Sequence, residues 1–325
     1  MRLPSELLDA IETEVANSEI DLRTLEHASA QLSEDYRSEN GAPALRTDAQ
    51  RGAYLIARFP ATYSATWRAF SEISQRASQE TIKSLLDLGS GPGTALFAAA
   101  DLFQTLEKAT LLDRDAEWLQ LGRRLGTQSS RSAVREASWL HHDLNSPPAS
   151  PPHDLVAISY ALGELSIAKA EATVRHAWEL SEKFLAIIEP GTRRGFANIN
   201  AARSTLLAAG ATILAPCPHH QACPMAKAGD WCHFAQRVER TTAHRRLKSG
   251  NLGYEDEKFS YVVASRLPFE AITARIVRHP RKHPGHVQLA LCCETGELRS
   301  ETVARSQKAK YKLARRADWG DSWSG

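Results

Sequence analysis

The segment SLLDLGSGPGTALFAAA, residues 84–100, constrains this chain most. An apolar run of strand length meets three glycines at G-x-G-x-G spacing, Gly89, Gly91 and Gly93, and an alanine-rich helical stretch follows. Glycine lets a backbone turn this tightly and come close to a ligand. The helix behind the loop aims unpaired N–H groups at it, which suits an anionic ligand group. Asp87 stands just before the glycines, and Ser90 lies between the first two. The spacing departs from the dinucleotide fingerprint G-x-G-x-x-G, and the G-K-[ST] of a P-loop is absent. The bland alternative is a tight turn with no ligand.

Three more runs read as buried parallel strands: ATLLD (109–113), DLVAISY (154–160) and FLAIIEP (184–190). Their alternation with helical stretches gives an α/β doubly wound sheet. The linker NSPPASPPH (145–153) separates two of these units. The acid-first form of the glycine loop resembles motif I of the class I S-adenosylmethionine (SAM) methyltransferases. Asp113 ends a strand about twenty residues beyond the glycines, where a carboxylate can accept from two ribose hydroxyls. Asp143, in HHDL, stands where that class often meets the adenine amine. Cofactor contacts are therefore expected at Asp87, Gly89, Ser90, Gly91, Gly93, Asp113 and Asp143. No catalytic residue is assigned: no D-P-P-Y-like loop or Pro-Cys pair follows the strand at 154–160, and Glu164 and Tyr160 read as a helix-start acid and a wall residue.

The 325 residues balance 40 Lys+Arg against 38 Asp+Glu, for a net charge of +2, so bulk charge names no partner. No apolar run is long enough to span a membrane. The N-terminus carries Glu6, Asp9, Glu12, Glu14, Glu19 and Asp21, unlike a signal or transit peptide. A cytoplasmic protein with reduced thiols is expected.

CPHHQACP and DWCHF give C-x5-C-x8-C through Cys217, Cys223 and Cys232, with Cys292 and Cys293 in HVQLALCCETG. Core cysteines are usually isolated among aliphatic residues; three within a short Pro- and His-rich stretch suggest a metal site. The spacings exceed those of zinc knuckles, and iron–sulfur clusters accept irregular ones. Zinc stays open as a Cys3His site with His219, His220 or His233. ATILAP and FSYVVAS read as the antiparallel hairpin that closes a class I methyltransferase sheet, with the cysteine segment inserted between them.

Positive charge gathers nearby. Residues 275–316 hold 11 Lys/Arg against three acids. A basic helix is expected at about 233–248, with Arg237, Arg240 and Lys248 near one face. Arg281, Lys282, Lys308, Lys310, Lys312, Arg315 and Arg316 extend the patch, which reads either as a solvated face or as an RNA footprint.

CPHHQACPM, DWCHFAQRVER, YEDEKFSYVVASR, ARIVRHPRKHPGHVQLALC and KAKYKLARRADWGDSW together resemble the mitochondrial small-ribosomal-subunit methyltransferase-like assembly factors and their bacterial relatives. The resemblance runs from about residue 40 to the C-terminus. It implies a class I methyltransferase fold, with a 4Fe-4S cluster held by Cys217, Cys223, Cys232 and Cys292. Cys292 is preferred to Cys293 because the family's cysteine stands four residues before the glycine, here Gly296. The resemblance further implies a small-ribosomal-subunit rRNA partner, bound either by a SAM-dependent methyltransferase or by an assembly factor without turnover. The expected organisation is a helical cap (1–80), a SAM-binding core (81–214), a cysteine-rich insertion with its basic helix (215–258), and the last core strand with a basic β extension and tail (259–325).

Overall fold

The computed structural model describes residues 1–37, 47–144, 150–247 and 252–325. Four helices open the chain: α1 Ser5–Asn17, α2 Leu22–Arg37, α3 Asp48–Ala57 and α4 Phe59–Arg76. Thr47 closes a capping box with Gln50 at the start of α3. Pro60 sits in the first turn of α4, where its missing N–H costs nothing, so the run from Thr47 divides into two helices there. The acidic N-terminus is folded as α1, which buries Leu7, Ala10 and Ile11 against the body.

The body is an α/β sheet. Its elements run β1 Ser84–Leu88, α5 Thr94–Leu102, β2 Lys108–Asp113, α6 Ala116–Thr127, α7 Ser132–Arg135, β3 Ser138–His141, β4 His153–Ser159, α8 Ile167–Glu179, β5 Ser181–Pro190, α9 Arg193–Ala208 and β6 Thr212–Ala215. Then follow α10 Pro224–Lys227, β7 Phe234–Glu239, α11 Thr242–Leu247 and β8 Tyr254–Ser265. Among the described residues the sheet order is β3-β2-β1-β4-β5-β8-β6, with β7 added beside the first half of β8. β1 to β5 pair in parallel, while β8 is antiparallel to β5 and β6. This is the class I methyltransferase arrangement, with ATILAP and FSYVVAS as its closing hairpin. The order reverses between β1 and β4, and the crevice at their carboxyl ends is where such sheets bind ligands. α4 packs over this crevice, tied to β4 by Thr66 Oγ1 and Ser159 Oγ at 3.0 Å.

A second, smaller sheet follows: β9 Ala274–Ile276, β10 Arg281–His283, β11 His286–Cys293, β12 Leu298–Ala304 and β13 Ser322–Trp323, with α12 Lys308–Arg316 packed on β11 and β12. Its core is Ile276, Val287, Leu289, Leu291, Val303 and Trp323. Arg275 on β9 reaches into the first body and holds Glu72 of α4 through Nη1 and Nη2 at 2.9 and 3.0 Å. No helix among the described residues is long and apolar enough to cross a membrane.

One expected element is corrected. The segment at 233–248 is not a single basic helix: residues 234–239 form strand β7 and only 242–247 are helical. Phe234 and Val238 bury one side of β7, and its backbone completes the ladder of β8. Arg237 and Arg240 therefore do not share a helical face. Lys248 and residues 145–149 of the proline-rich linker lie outside the described residues.

Candidate functional site

The glycine loop turns through three residues of positive φ, Gly89, Gly91 and Gly93, at the carboxyl end of β1. It floors a cavity of about 670 Å³ lined by Asp87, Gly89, Ser90, Gly91, Asp113 and Asp143. Gly93, one residue past the loop's ligand face, is needed for packing instead: a Cβ there would stand 2.6 Å from the Trp139 ring. Asp113 accepts from the Gly91 N–H at 2.7 Å and from the Asp115 N–H at 2.9 Å. These two bonds fix its carboxylate at the cavity edge and leave lone pairs for a ligand. Burial pushes its pKa upward against those bonds.

Asp87 is the unusual group. It is 1% exposed, and neither carboxylate oxygen has a hydrogen-bond partner among the described residues. Burial, with the Asp113 charge nearby, pushes it up to about 8. A buried carboxylate without a donor is costly, so its place on a ligand cavity points to a cationic or donor group in the ligand.

The far wall comes from the helical cap, through Tyr54 of α3 and Thr62 of α4. Sequence reading finds no chemistry in the cap, because amphipathic spacing reports which residues are buried and not what they face. Tyr160 adopts φ +59, a left-handed conformation that a bulky residue enters only when its surroundings enforce it. Its N–H donates to Ile188 O at 2.8 Å and its hydroxyl to Glu257 Oε1 at 3.0 Å. Glu257 in turn takes a bidentate pair from Arg58, both at 3.1 Å. Glu164 accepts from Arg114 at 2.9 Å across the cavity mouth. Glu164 and Glu257 are thus both held in ion pairs.

The four expected metal ligands come together. Cys217 follows β6, Cys223 caps α10, Cys232 precedes β7, and Cys292 stands near the end of β11 in the second sheet. All four line one cavity of about 40 Å³. Cys293, pointing the other way by strand alternation, joins the core of the second sheet. The cysteine loop is tied by buried arginines: Arg275 Nε donates to Pro216 O at 2.9 Å, and Arg203 donates to His219 O and Gln221 O at 2.7 and 2.9 Å. His219 Nε2 lies 3.4 Å from Cys292 Sγ. Burial and the neighbouring thiols raise the pKa of Cys217 and Cys232, and push Cys292 up to about 12. Left alone these thiols stay protonated; a positive centre between them is what would draw them into the thiolate form. No three Cys, His, Asp or Glu side chains among the described residues are grouped as for a single metal ion.

The basic residues divide into two kinds. Arg237 pairs with Asp256 at 2.9 Å, Arg240 with Glu255 at 2.9 Å and Lys310 with Glu301 at 2.5 Å. Arg281, Lys282, Lys308, Lys312, Arg315 and Arg316 are solvent-exposed on β10 and α12. The second kind has no carboxylate within ion-pair distance among the described residues.

The family described as mitochondrial small ribosomal subunit Rsm22 matches residues 48–324. The human ribosome assembly protein METTL17, mitochondrial, is 31% identical over 287 residues, which cover 82% of this chain and 61% of that protein. The ribosome assembly protein RSM22, mitochondrial, of Saccharomyces cerevisiae is 22% identical over 424 residues, covering 86% and 68%. The match thus spans about three fifths of the human relative's length. Among solved structures, the magnesium protoporphyrin IX methyltransferase of Synechocystis with bound SAH superposes with a TM-score of 0.43 at 12% identity, over 72% of this chain and 93% of that one. The cytoplasmic placement expected from the sequence is corrected by these relatives, which are mitochondrial proteins. Glu6, Asp9, Glu12 and Glu14 of the acidic N-terminus that suggested it belong to helix α1.

Proposed function

Because the chain belongs to the Rsm22 family of mitochondrial small-ribosomal-subunit proteins, we propose that it is a methyltransferase-fold ribosome assembly protein that binds SAM and small-subunit rRNA. The observation that carries the SAM reading is Asp87, a buried carboxylate on the glycine-loop cavity with no hydrogen-bond partner among the described residues. The sulfonium and ammonium of SAM supply the positive charge it lacks. Asp113 would take the ribose hydroxyls and Asp143 the adenine amine, both from the cavity rim. Exposed Arg281, Lys282, Lys308, Lys312, Arg315 and Arg316 would meet rRNA phosphates.

Cys217, Cys223, Cys232 and Cys292 would hold a 4Fe-4S cluster. Four sulfurs around one cavity are a donor set for such a core. A tetrahedral zinc site brings its sulfurs within about 3.8 Å of one another, given a Zn–S length of about 2.3 Å. The C-x5-C and C-x8-C spacings of Cys217, Cys223 and Cys232 are wider than zinc knuckles, which favours the larger centre. When bound, the cluster supplies cross-linking: it joins the β6–β7 segment to the second sheet, which carries the basic residues.

Methyl transfer needs an acceptor-side group to receive a proton or to orient a nucleophile. Glu164 and Glu257 are both engaged by arginines, and Tyr160 by Glu257. That favours the second reading, an assembly factor that binds SAM and rRNA without turnover. Calorimetric titration with SAM tests the common part. Binding that weakens at least tenfold in Asp87→Asn supports it; no heat at about 1 mM SAM overturns it. Incubation with methyl-labelled SAM and small-subunit rRNA then separates the two readings by whether label enters the RNA.

A further inference from the structure

Two arginines are buried beside the cysteine cavity, and they differ in one respect. Arg275, 2% exposed, is paired with Glu72, which Arg68 also engages. Arg203, 4% exposed on α9, has no carboxylate partner among the described residues. Its guanidinium donates to the carbonyls of His219 and Gln221 and faces the Cys217 thiol, and its Nε has no hydrogen-bond partner among the described residues. Guanidinium does not lose its charge in proteins. A buried, unpaired positive charge is unfavourable unless a negative group stands near it. Arg203 lines the cavity with Cys217, Cys223, Cys232 and Cys292.

We propose that Arg203 is the counter-ion of the four-cysteine centre, a positioning residue whose charge offsets the excess negative charge of metal-bound thiolates. The inference rests on the reading that these cysteines hold a 4Fe-4S cluster. Four thiolates outweigh the positive charge of the core, so the centre would be net negative within a pocket lined largely by apolar side chains. Arg275 already has a carboxylate partner, which leaves Arg203 as the cavity arginine without one among the described residues. Its two hydrogen bonds add a second action, clamping the residues between Cys217 and Cys223.

Net charge and hydrogen bonding near the sulfurs set the potential of such a cluster. Removing a positive neighbour makes the addition of an electron harder. The test uses the full chain purified without oxygen, as wild type, Arg203→Lys and Arg203→Met. Iron and sulfide are counted, iron release to a chelator is timed, and the midpoint potential is found by mediated titration with dithionite. Arg203→Lys keeps the charge and is expected to stay within threefold of wild type in the reduction equilibrium. Arg203→Met is expected to lower that equilibrium at least tenfold, about 59 mV for one electron, and to release iron at least tenfold faster. If Arg203→Met fails to fold, Arg203→Gln takes its place beside the lysine variant. A neutral variant that matches wild type in potential and iron release overturns the proposal, as do equal shifts in the lysine and neutral variants. Wild-type protein without iron and sulfide overturns the cluster reading itself, whatever Arg203 does.

Discussion

The indole of Trp139 on β3 fills the space in which Gly122 of α6 would carry a Cβ, 2.4 Å from the ring. The same added atom would meet Pro92 O at 2.8 Å. The strand edge, the glycine loop and α6 are therefore locked together by one aromatic ring. In an exposed helix, Gly→Ala is stabilising by about 1 kcal/mol. Here the sign reverses, because overpacking costs about 1–3 kcal/mol. Gly122→Ala is expected to lower the urea midpoint with an unchanged slope; a raised midpoint contradicts this packing.

Asp87 makes stability depend on pH. Its folded-state pKa of about 8 stands above its ordinary 3.8. The folded state holds the proton more tightly, so ionisation penalises folding. The penalty is absent below about pH 4 and grows as pH rises toward 8. Ligand-free protein should lose stability across that window, and Asp87→Asn should flatten the dependence. At pH 8 the variant should be more stable than wild type by about 1–3 kcal/mol, the scale of one relieved unsatisfied buried group. At pH 4 the two should coincide. Thermal melts across this range decide it, and parallel pH profiles would refute the assignment.

The Glu72–Arg275 pair joins the helical cap to the second sheet, with Arg68 at 2.9 Å also on Glu72. Breaking a buried pair by removing one partner costs about 3–5 kcal/mol, since the other charge stays buried. Glu72→Gln is expected to destabilise the whole chain by that amount in denaturant titration. A loss below about 1 kcal/mol would mean that the pair does not hold the two parts together.

The sheet was legible because buried parallel strands leave continuous apolar runs. β4 is buried over its first six residues, and DLVAISY says so. β3 escaped notice because it is an edge strand with one buried residue, Trp139, in SWLH. The segment of β7 read as helix because its arginines sit at helical spacing, whereas pairing with β8 decides its form. Context overrides local spacing there. The acids of the glycine-loop cavity were readable from motif order. The walls at Tyr54 and Thr62 were not, since nothing local marks a buried helix residue as facing a ligand. Arg203 was invisible for the opposite reason: an arginine in a polar helix reads as solvated, and only the fold buries it.

Charge reversal separates the two kinds of basic residue. Arg315→Glu with Arg316→Glu, or Arg281→Glu with Lys282→Glu, should weaken binding to a small-subunit rRNA fragment. The slope of log affinity against log salt should fall by about 0.7–0.9 for each phosphate that is no longer neutralised. Arg237→Glu should change that slope little, because Asp256 already offsets its charge. Equal effects from all three variants would show that the patch acts only through net charge.

The most direct test of the account is the iron and sulfide content of the chain purified without oxygen. About four iron and four sulfide per chain are expected, with the matching absorption, and both should be lost in Cys217→Ser and Cys292→Ser but kept in Cys293→Ser. Zinc in their place, no metal, or loss on replacing Cys293 instead of Cys292 would contradict it.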